Sequence, residues 1–155
     1  MAIVEIKNVT KIFREDSQAV PALSSVSVEI EEGNFVALSG PSGSGKTTLL
    51  NLIGCLDRPT EGSIHLDGEE ISQLPQAKLA QLRLKKIGFI FQDYNLIPAF
   101  TAIENIEYVL WLQGVSSTER RKRALEICER FNIQKLIDRR PYEMSRGQQL
   151  SLIHI

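Results

Sequence analysis

The sequence predicts an α/β chain: antiparallel β-structure first, then a glycine-rich turn between a buried strand and a helix, then a helical insert. Three observations predict it. Gly40-Pro41-Ser42-Gly43-Ser44-Gly45-Lys46-Thr47 lies between the apolar run Phe35-Val36-Ala37-Leu38 and the apolar stretch Thr47 to Gly54, the strand–loop–helix order that opens a βαβ unit. The first forty residues alternate apolar and polar side chains, as half-buried strands do. From about 101 to 140 the apolar spacing becomes helical.

In chain order, Met1 to Lys7 alternates around Ile3/Glu5 and Val4/Ile6 and continues through Val9 to Ile12-Phe13. Leu23, Val26, Val28 and Ile30 contain a period-two set, ended by Glu31-Glu32-Gly33. Phe35 to Leu38 is a continuous apolar run of the kind a strand buried on both faces shows. In the helix after the glycine loop, Leu49, Leu50, Leu52 and Ile53 suit burial, with Cys55 at its end. Ile64 and Leu66 alternate with Ser63 and an outward His65 before the turn Asp67-Gly68. A helix around Leu79 to Lys86 leads into a second apolar strand, Ile87-Gly88-Phe89-Ile90-Phe91.

Thr101-Ala102-Ile103-Glu104 has the form of a capping box, with Ile103, Ile106 and Leu110 on one face and Gly114 as the stop. Ser116-Ser117-Thr118-Glu119 has the same form. It opens a helix whose apolar stripe is Ala124, Leu125, Ile127, Cys128 and Phe131. The basic run Arg120-Arg121-Lys122-Arg123 reads as a solvated face of that helix.

Composition is that of an ordinary globular domain: 155 residues, 43% hydrophobic and 24% charged. A formal net charge of −1 gives no whole-surface attraction to nucleic acid or to anionic lipid, so no nucleic-acid partner is expected. No apolar run approaches the roughly 20 residues of a membrane span, and the N-terminus lacks a basic start and an apolar signal core. A soluble, intracellular protein is expected. Cys55 and Cys128 lack metal-ligand spacing and read as reduced core thiols.

The octapeptide carries the chemistry. It matches G-x-x-x-x-G-K-S/T, which a random chain of this length meets about once in two hundred. Gly40, Gly43 and Gly45 let backbone N–H groups, with those of Ser42 and Ser44, close around phosphate oxygens as an anion nest. The following helix N-terminus adds its partial positive charge. Lys46 reaches the β- and γ-phosphates, the Thr47 hydroxyl coordinates Mg²⁺, and Thr48 adds a contact on the α-phosphate side. The fold expected is a P-loop NTPase, RecA-like core. The loop alone names no reaction. At the end of the second apolar strand two readings stand: Asp93 as a Walker B acid, or Gln92 as the functional residue.

The stretch Phe35 to Gly62, FVALSGPSGSGKTTLLNLIGCLDRPTEG, resembles the Walker A region of ABC transporter ATP-binding subunits. IGFIFQDYNLIPAFTAIENI, from Ile87 to Ile106, resembles their Q-loop and the start of their helical subdomain. Met144-Ser145-Arg146-Gly147-Gln148 resembles the L-S-G-G-Q signature. The wording is closest to the branch that drives lipoprotein release, macrolide export and antimicrobial-peptide resistance. The resemblance implies an ATP hydrolase with ATP and Mg²⁺ as cofactors, transmembrane permease subunits as partners, and a homodimer sandwiching ATP head-to-tail on the inner face of the cell membrane. It implies that Gln92 senses Mg²⁺ and the γ-phosphate, and that Phe13 stacks on adenine. It further implies that Ser145, Gly147 and Gln148 face the γ-phosphate held by a second subunit, and that the loop Asn95 to Phe100 takes a short helix of the membrane partner.

Arg146 departs from the pattern by standing at the first signature glycine, where a side chain crowds phosphate if the backbone needs φ > 0. The Walker B acid, catalytic Glu, D-loop and switch histidine of the family have no counterpart here, and His154 does not stand in for the last. The expected layout is therefore an incomplete ATP-binding domain over 1–149. Residues 1–100 form the β-subdomain and core, and residues 101–149 the helical subdomain with the signature. Residues 150–155, Leu-Ser-Leu-Ile-His-Ile, read as a non-native tail, because CTG-TCT-CTT-ATA-CAC-ATC encodes them and resembles a transposase adapter end. Residues 1–155 as written are expected to be poorly soluble and to bind ATP weakly at best, with no turnover above background. The alternatives are a non-hydrolysing P-loop fragment and a P-loop kinase or GTPase; no N-K-x-D guanine motif occurs.

Overall fold

The structure is a computed structural model that describes residues 2–15 and 18–153. Met1, at the start of the expected first strand, and His154 and Ile155, at the end of the expected tail, lie outside the described residues. The chain divides after Ile87 into two compact units.

The first unit is built on an antiparallel sheet of β1 (Ala2–Glu15), β2 (Gln18–Glu31), β3 (Glu61–Leu66) and β4 (Glu69–Glu70), in the order β2-β1-β3-β4. The alternation in the sequence does its work here. Val4, Ile6 and Val9 of β1 are buried with Leu23, Ile64 and Leu66. Between β3 and β4, Asp67 and Gly68 take φ of 51° and 76°, the pair of positive values that a two-residue type I′ hairpin requires. Two helices cover the buried face: α1 (Lys46–Ile53), through Leu49 and Leu52, and α2 (Gln76–Lys86), through Leu79. Arg83 of α2 donates to the Cys55 carbonyl at 2.6 Å, tying the end of α2 to the loop after α1.

Three expectations fail in this unit and a fourth at its boundary. Leu50 is 55% exposed, because α1 buries only the face that carries Leu49 and Leu52. His65 is half-buried rather than outward, with Nδ1 3.7 Å from the Glu5 carboxylate across the β1–β3 ladder. Phe35 to Leu38 forms no strand, and Phe35 is 99% exposed. Ile87 to Phe91, which leaves this unit for the next, is likewise irregular. A central parallel strand is held by ladder bonds to neighbours on both sides, and no other described strand pairs with either run.

The second unit contains α3 (Ala102–Leu112), α4 (Ser117–Arg130) and α5 (Arg146–Ile153), with short 3₁₀ turns at Gln134–Leu136 and Pro141–Glu143. Its core gathers Ala102, Ile103, Ile106, Ala124, Cys128, Ile133, Met144 and Leu152. The capping box opening α3 is made in both directions: Thr101 Oγ1 accepts from Glu104 N at 3.4 Å, and the Glu104 carboxylate accepts from Thr101 N at 2.7 Å. The box expected at Ser116 is not made, since its side chain caps nothing. Glu119 instead accepts from Arg123 at 2.6 Å, one turn on. The expected stripe on α4 narrows to Ala124 and Cys128, four residues apart on one face. Leu125 and Phe131 are 41% and 42% exposed. The basic run is only partly a solvated face. Arg121 and Arg123 pair with Glu107 and Glu119, but Arg120 is half-buried and donates to the Val115 carbonyl at 2.7 Å.

No helix among the described residues is long and apolar enough to cross a membrane.

Candidate nucleotide-binding site

The glycine-rich loop runs from Gly40 into α1, and its geometry follows from what its residues lack. Gly43 and Gly45 take φ of 80° and 86°, in the left-handed region. At Gly45 glycine is needed twice over. A Cβ there would fall 2.5 Å from the Ala22 carbonyl oxygen and 2.7 Å from Leu23 Cδ2, so β2 presses directly on the loop. Gly45 is also the N-cap of α1. It offers no capping side chain, and the first turn of α1 holds no acidic residue. The amides that open α1 are therefore left for an outside acceptor.

Lys46 folds back over this loop. Its Nζ donates to the Gly40 carbonyl at 2.9 Å, the Pro41 carbonyl at 2.7 Å and Ser44 Oγ at 3.4 Å. A cation resting on neutral oxygens beside uncapped amides is a receptor for an anion, and phosphate oxygens outbid carbonyls for a charged donor. Thr47 is exposed on the first turn of α1, where its hydroxyl is free to reach a metal, and Thr48 is half-buried beside it. Among the described residues no group of three or more His, Cys, Asp or Glu side chains is placed to hold a metal ion. The donors fit Mg²⁺ held chiefly by phosphate and water with one hydroxyl, which suits that ion's preference for few protein ligands.

Phe13 lies toward the end of β1, 41% exposed, paired with Val20. Two residues earlier, Lys11 pairs with Leu23, the residue packed on Gly45. The ladder is irregular here, with register shifts on either side of Lys11. Sequence reasoning missed Lys11. Its Nζ lies 5.0 Å from the Phe13 ring centroid, and the i, i+2 spacing on a strand, which puts both side chains on one face, was the available signal.

The remaining candidate residues belong to the second unit. Gln92 and Asp93 are both exposed in the irregular segment after Phe91. Ser145, Gly147 and Gln148 open α5, where a second unforeseen feature appears. Ser145 N donates to Gln148 Oε1 at 2.9 Å and Gln148 N to Ser145 Oγ at 3.3 Å. This is a reciprocal capping box, legible in the sequence as S-x-x-Q. A Cβ on Gly147 would meet nothing within 4 Å. Arg146 is exposed and is not among the residues with positive φ, so the strain feared at the missing glycine is absent.

The apolar loop Asn95 to Phe100 is less of a free surface than its composition implies. Leu96 packs against the core of this unit, and Asn105 ties the loop down by accepting from Ile97 N at 2.8 Å. Beside it lies an aromatic row of half-buried Phe100 and Tyr108 and exposed Trp111. Phe100, Tyr108 and Trp111 contact one another in series, at 5.7 and 5.8 Å between ring centroids. With Glu104, Glu107 and Arg120 they line a shallow cavity of about 290 Å³.

The profile of one protein family, described as ABC transporter, matches residues 23–153. The chain belongs to the ABC transporter family. Its similarity to particular ABC proteins is close. It is 46% identical over 147 residues to an uncharacterized ABC transporter ATP-binding protein of Thermotoga maritima, covering 95% of this chain and 63% of that one. It is 46% identical over 149 residues to the macrolide export ATP-binding/permease protein MacB of Mannheimia succiniciproducens, covering 96% of this chain and 23% of that protein. Among solved structures it is similar to the ATP-binding cassette MJ0796, in a dimeric post-hydrolysis state bound to ADP and Pi. The TM-score is 0.88 at 44% identity, covering 97% of this chain and 66% of that one. The chain thus spans less than two thirds of the length of the relatives it matches. Its fold class is that of ABC ATP-binding cassettes, P-loop α/β proteins, and the kinase and GTPase alternatives are set aside.

Proposed function

We propose that the chain is the nucleotide-binding portion of an ATP-hydrolysing ABC subunit that energises membrane partners for export or lipoprotein extraction. The observation that carries this reading is the glycine-capped N-terminus of α1, left without a side-chain cap beside a lysine resting on neutral carbonyls. In this reading Lys46 exchanges Gly40 and Pro41 for the β- and γ-phosphates, and the amides of the 40–47 loop and of the opening of α1 take the remaining oxygens. Mg²⁺, when bound, neutralises charge that develops on the phosphates. Thr47 would hold it, with Gln92 as the residue that senses it. Phe13 offers its exposed ring to adenine.

Ser145, Gly147 and Gln148 are assigned to a second subunit's ATP, giving a head-to-tail dimer. The open space over Gly147 and the hydroxyl held at the start of α5 support that role. The cassette MJ0796 was solved as a dimer, and the MacB relatives carry a permease in the same polypeptide. A location on the inner face of the membrane follows from such partners. The aromatic cavity of Phe100, Tyr108 and Trp111 is the surface we assign to the permease.

The test is Lys46→Ala in the complete subunit. Losing a charge-assisted partner of the phosphates should weaken MgATP binding by about 10- to 100-fold and bring phosphate release to background. Undiminished turnover in that variant refutes the reading.

A further inference from the structure

Lys11 occupies an odd position for a surface lysine. Its side chain is only 13% exposed, although β1 carries it to the end of a sheet with water close by. Its Nζ forms an ion pair with Asp57 Oδ1 at 2.7 Å and donates to the Arg58 carbonyl at 2.8 Å. Asp57 is fixed in turn by accepting from Arg58 N at 2.7 Å. With two of its three donors spent on the loop that follows α1, the ammonium sits 5.0 Å from the centroid of the Phe13 ring. The same stretch of β1 is tied to that loop by Ile12 N donating to Thr60 Oγ1 at 3.0 Å and Thr60 N donating to the Thr10 carbonyl at 2.8 Å.

We infer that Lys11 is a positioning residue for base recognition. Anchored by Asp57 and Arg58, its ammonium holds the Phe13 ring in one orientation through the ring face, so that the exposed surface of the ring is preset for adenine. The inference rests on the reading of Phe13 as the adenine platform. The physical basis is the attraction between a cation and the negative face of an aromatic ring, which requires a charge and not merely a side chain of that length. Phe13 is 41% exposed and stands outside the hydrophobic core of its unit, and the anchored cation lies over its ring. The anchor also links the base platform to α1. Phosphate contacts begin at Lys46 at one end of that helix, and Asp57 follows its other end.

The experiment compares two ligands on the full chain: MgATP, and inorganic tripolyphosphate with Mg²⁺, which presents the phosphates without the base. Lys11→Met should weaken MgATP about two- to fivefold and leave tripolyphosphate unchanged, whereas Lys11→Arg, which keeps the cation, should restore MgATP to within about twofold. The double variant Lys11→Met with Asp57→Asn removes the stranded carboxylate and should show the same selective loss, should the single variant fold poorly. Equal losses for both ligands, no loss, or failure of arginine to rescue would each overturn the inference. Phe13→Ala separates it from its premise. If that variant keeps the full preference for MgATP over tripolyphosphate, the adenine-platform reading itself fails, as it does if the unmodified chain shows no such preference.

Discussion

Two of the loops that begin helices in this molecule are assigned to phosphate, yet they are built in opposite ways. At Gly45 the chain supplies no capping side chain, and the first turn of α1 is left to an outside ligand. At Ser145 the chain caps itself, and hydroxyl and amide of Ser145 and Gln148 satisfy one another. The first loop is shaped by glycines under pressure from β2, the second by a local reciprocal pair that needs no neighbour. In the function proposed above, the difference divides the labour of binding. A loop that grips must leave its donors open, while one that meets a ligand already held needs only to present a hydroxyl and a glycine gap at a fixed place.

The contrast breaks most severely at Gly45. Gly45→Ala demands a left-handed alanine, costing about 1–2 kcal/mol, before its methyl meets the Ala22 carbonyl. We expect a lower urea midpoint for the first unit and loss of nucleotide binding together. Unchanged stability would show that β2 does not press on the loop as described.

A smaller effect sharpens the other side. Ser145→Ala removes one partner of the α5 box and should cost about 1 kcal/mol, while Ser145→Asp keeps a capping oxygen and should stay within a few tenths of a kcal/mol. Trp111, the only tryptophan in the chain, lies in α3 of the same unit, so its fluorescence during urea unfolding reads this directly. Ser145→Asp should nevertheless abolish ATP-driven dimerisation of the complete subunit, because a carboxylate would face the γ-phosphate. Dimers that persist in Ser145→Asp would remove Ser145 from the phosphate.

The smallest expected effect concerns the other self-capped helix, α3. Hydrogen bonds from Thr101, first from its N–H and then from its hydroxyl, hold the Glu104 carboxyl below the usual carboxylate range, helped by the charges of Arg140 and Arg121. Since the folded value lies below the unfolded one, the stabilisation is complete above about pH 4.3, the ordinary glutamate value, and disappears as pH falls through the folded value. Glu104→Gln retains a capping acceptor that does not titrate. Stability monitored through Trp111 should therefore differ most between the two proteins near neutral pH and converge in acid. A constant gap down to pH 2 would refute the assignment.

Legibility in the sequence tracks how local each interaction is. The 40–47 loop, the Asp67-Gly68 turn and the Thr101 box were readable because each is closed within a few residues. The strands expected at Phe35 to Leu38 and Ile87 to Phe91 were not, since an apolar run records a demand for burial while a parallel ladder depends on distant partners. The box at Ser116 failed for a competitive reason: Arg123, one turn further on, takes the Glu119 carboxylate. The box at Ser145 was present in the letters but hidden behind the signature that overlaps it. Lys11 was passed over because a lone lysine two residues from a phenylalanine declares nothing until Asp57 and Arg58 fold beneath it.

The two cysteines carry a practical consequence of the division at Ile87. Cys55 is buried in the first unit and Cys128 in the second, and burial raises the thiol pKa of each. A buried, protonated thiol reacts with an alkylating reagent only when its surroundings open. The chain therefore contains one reporter clock per unit, installed without mutagenesis. Mass spectrometry of the two alkylated peptides over time yields two opening rates from one sample. Adding nucleotide should slow the Cys55 clock, whose thiol follows the helix assigned to phosphate, and a change in the Cys128 clock would show whether that effect reaches the second unit.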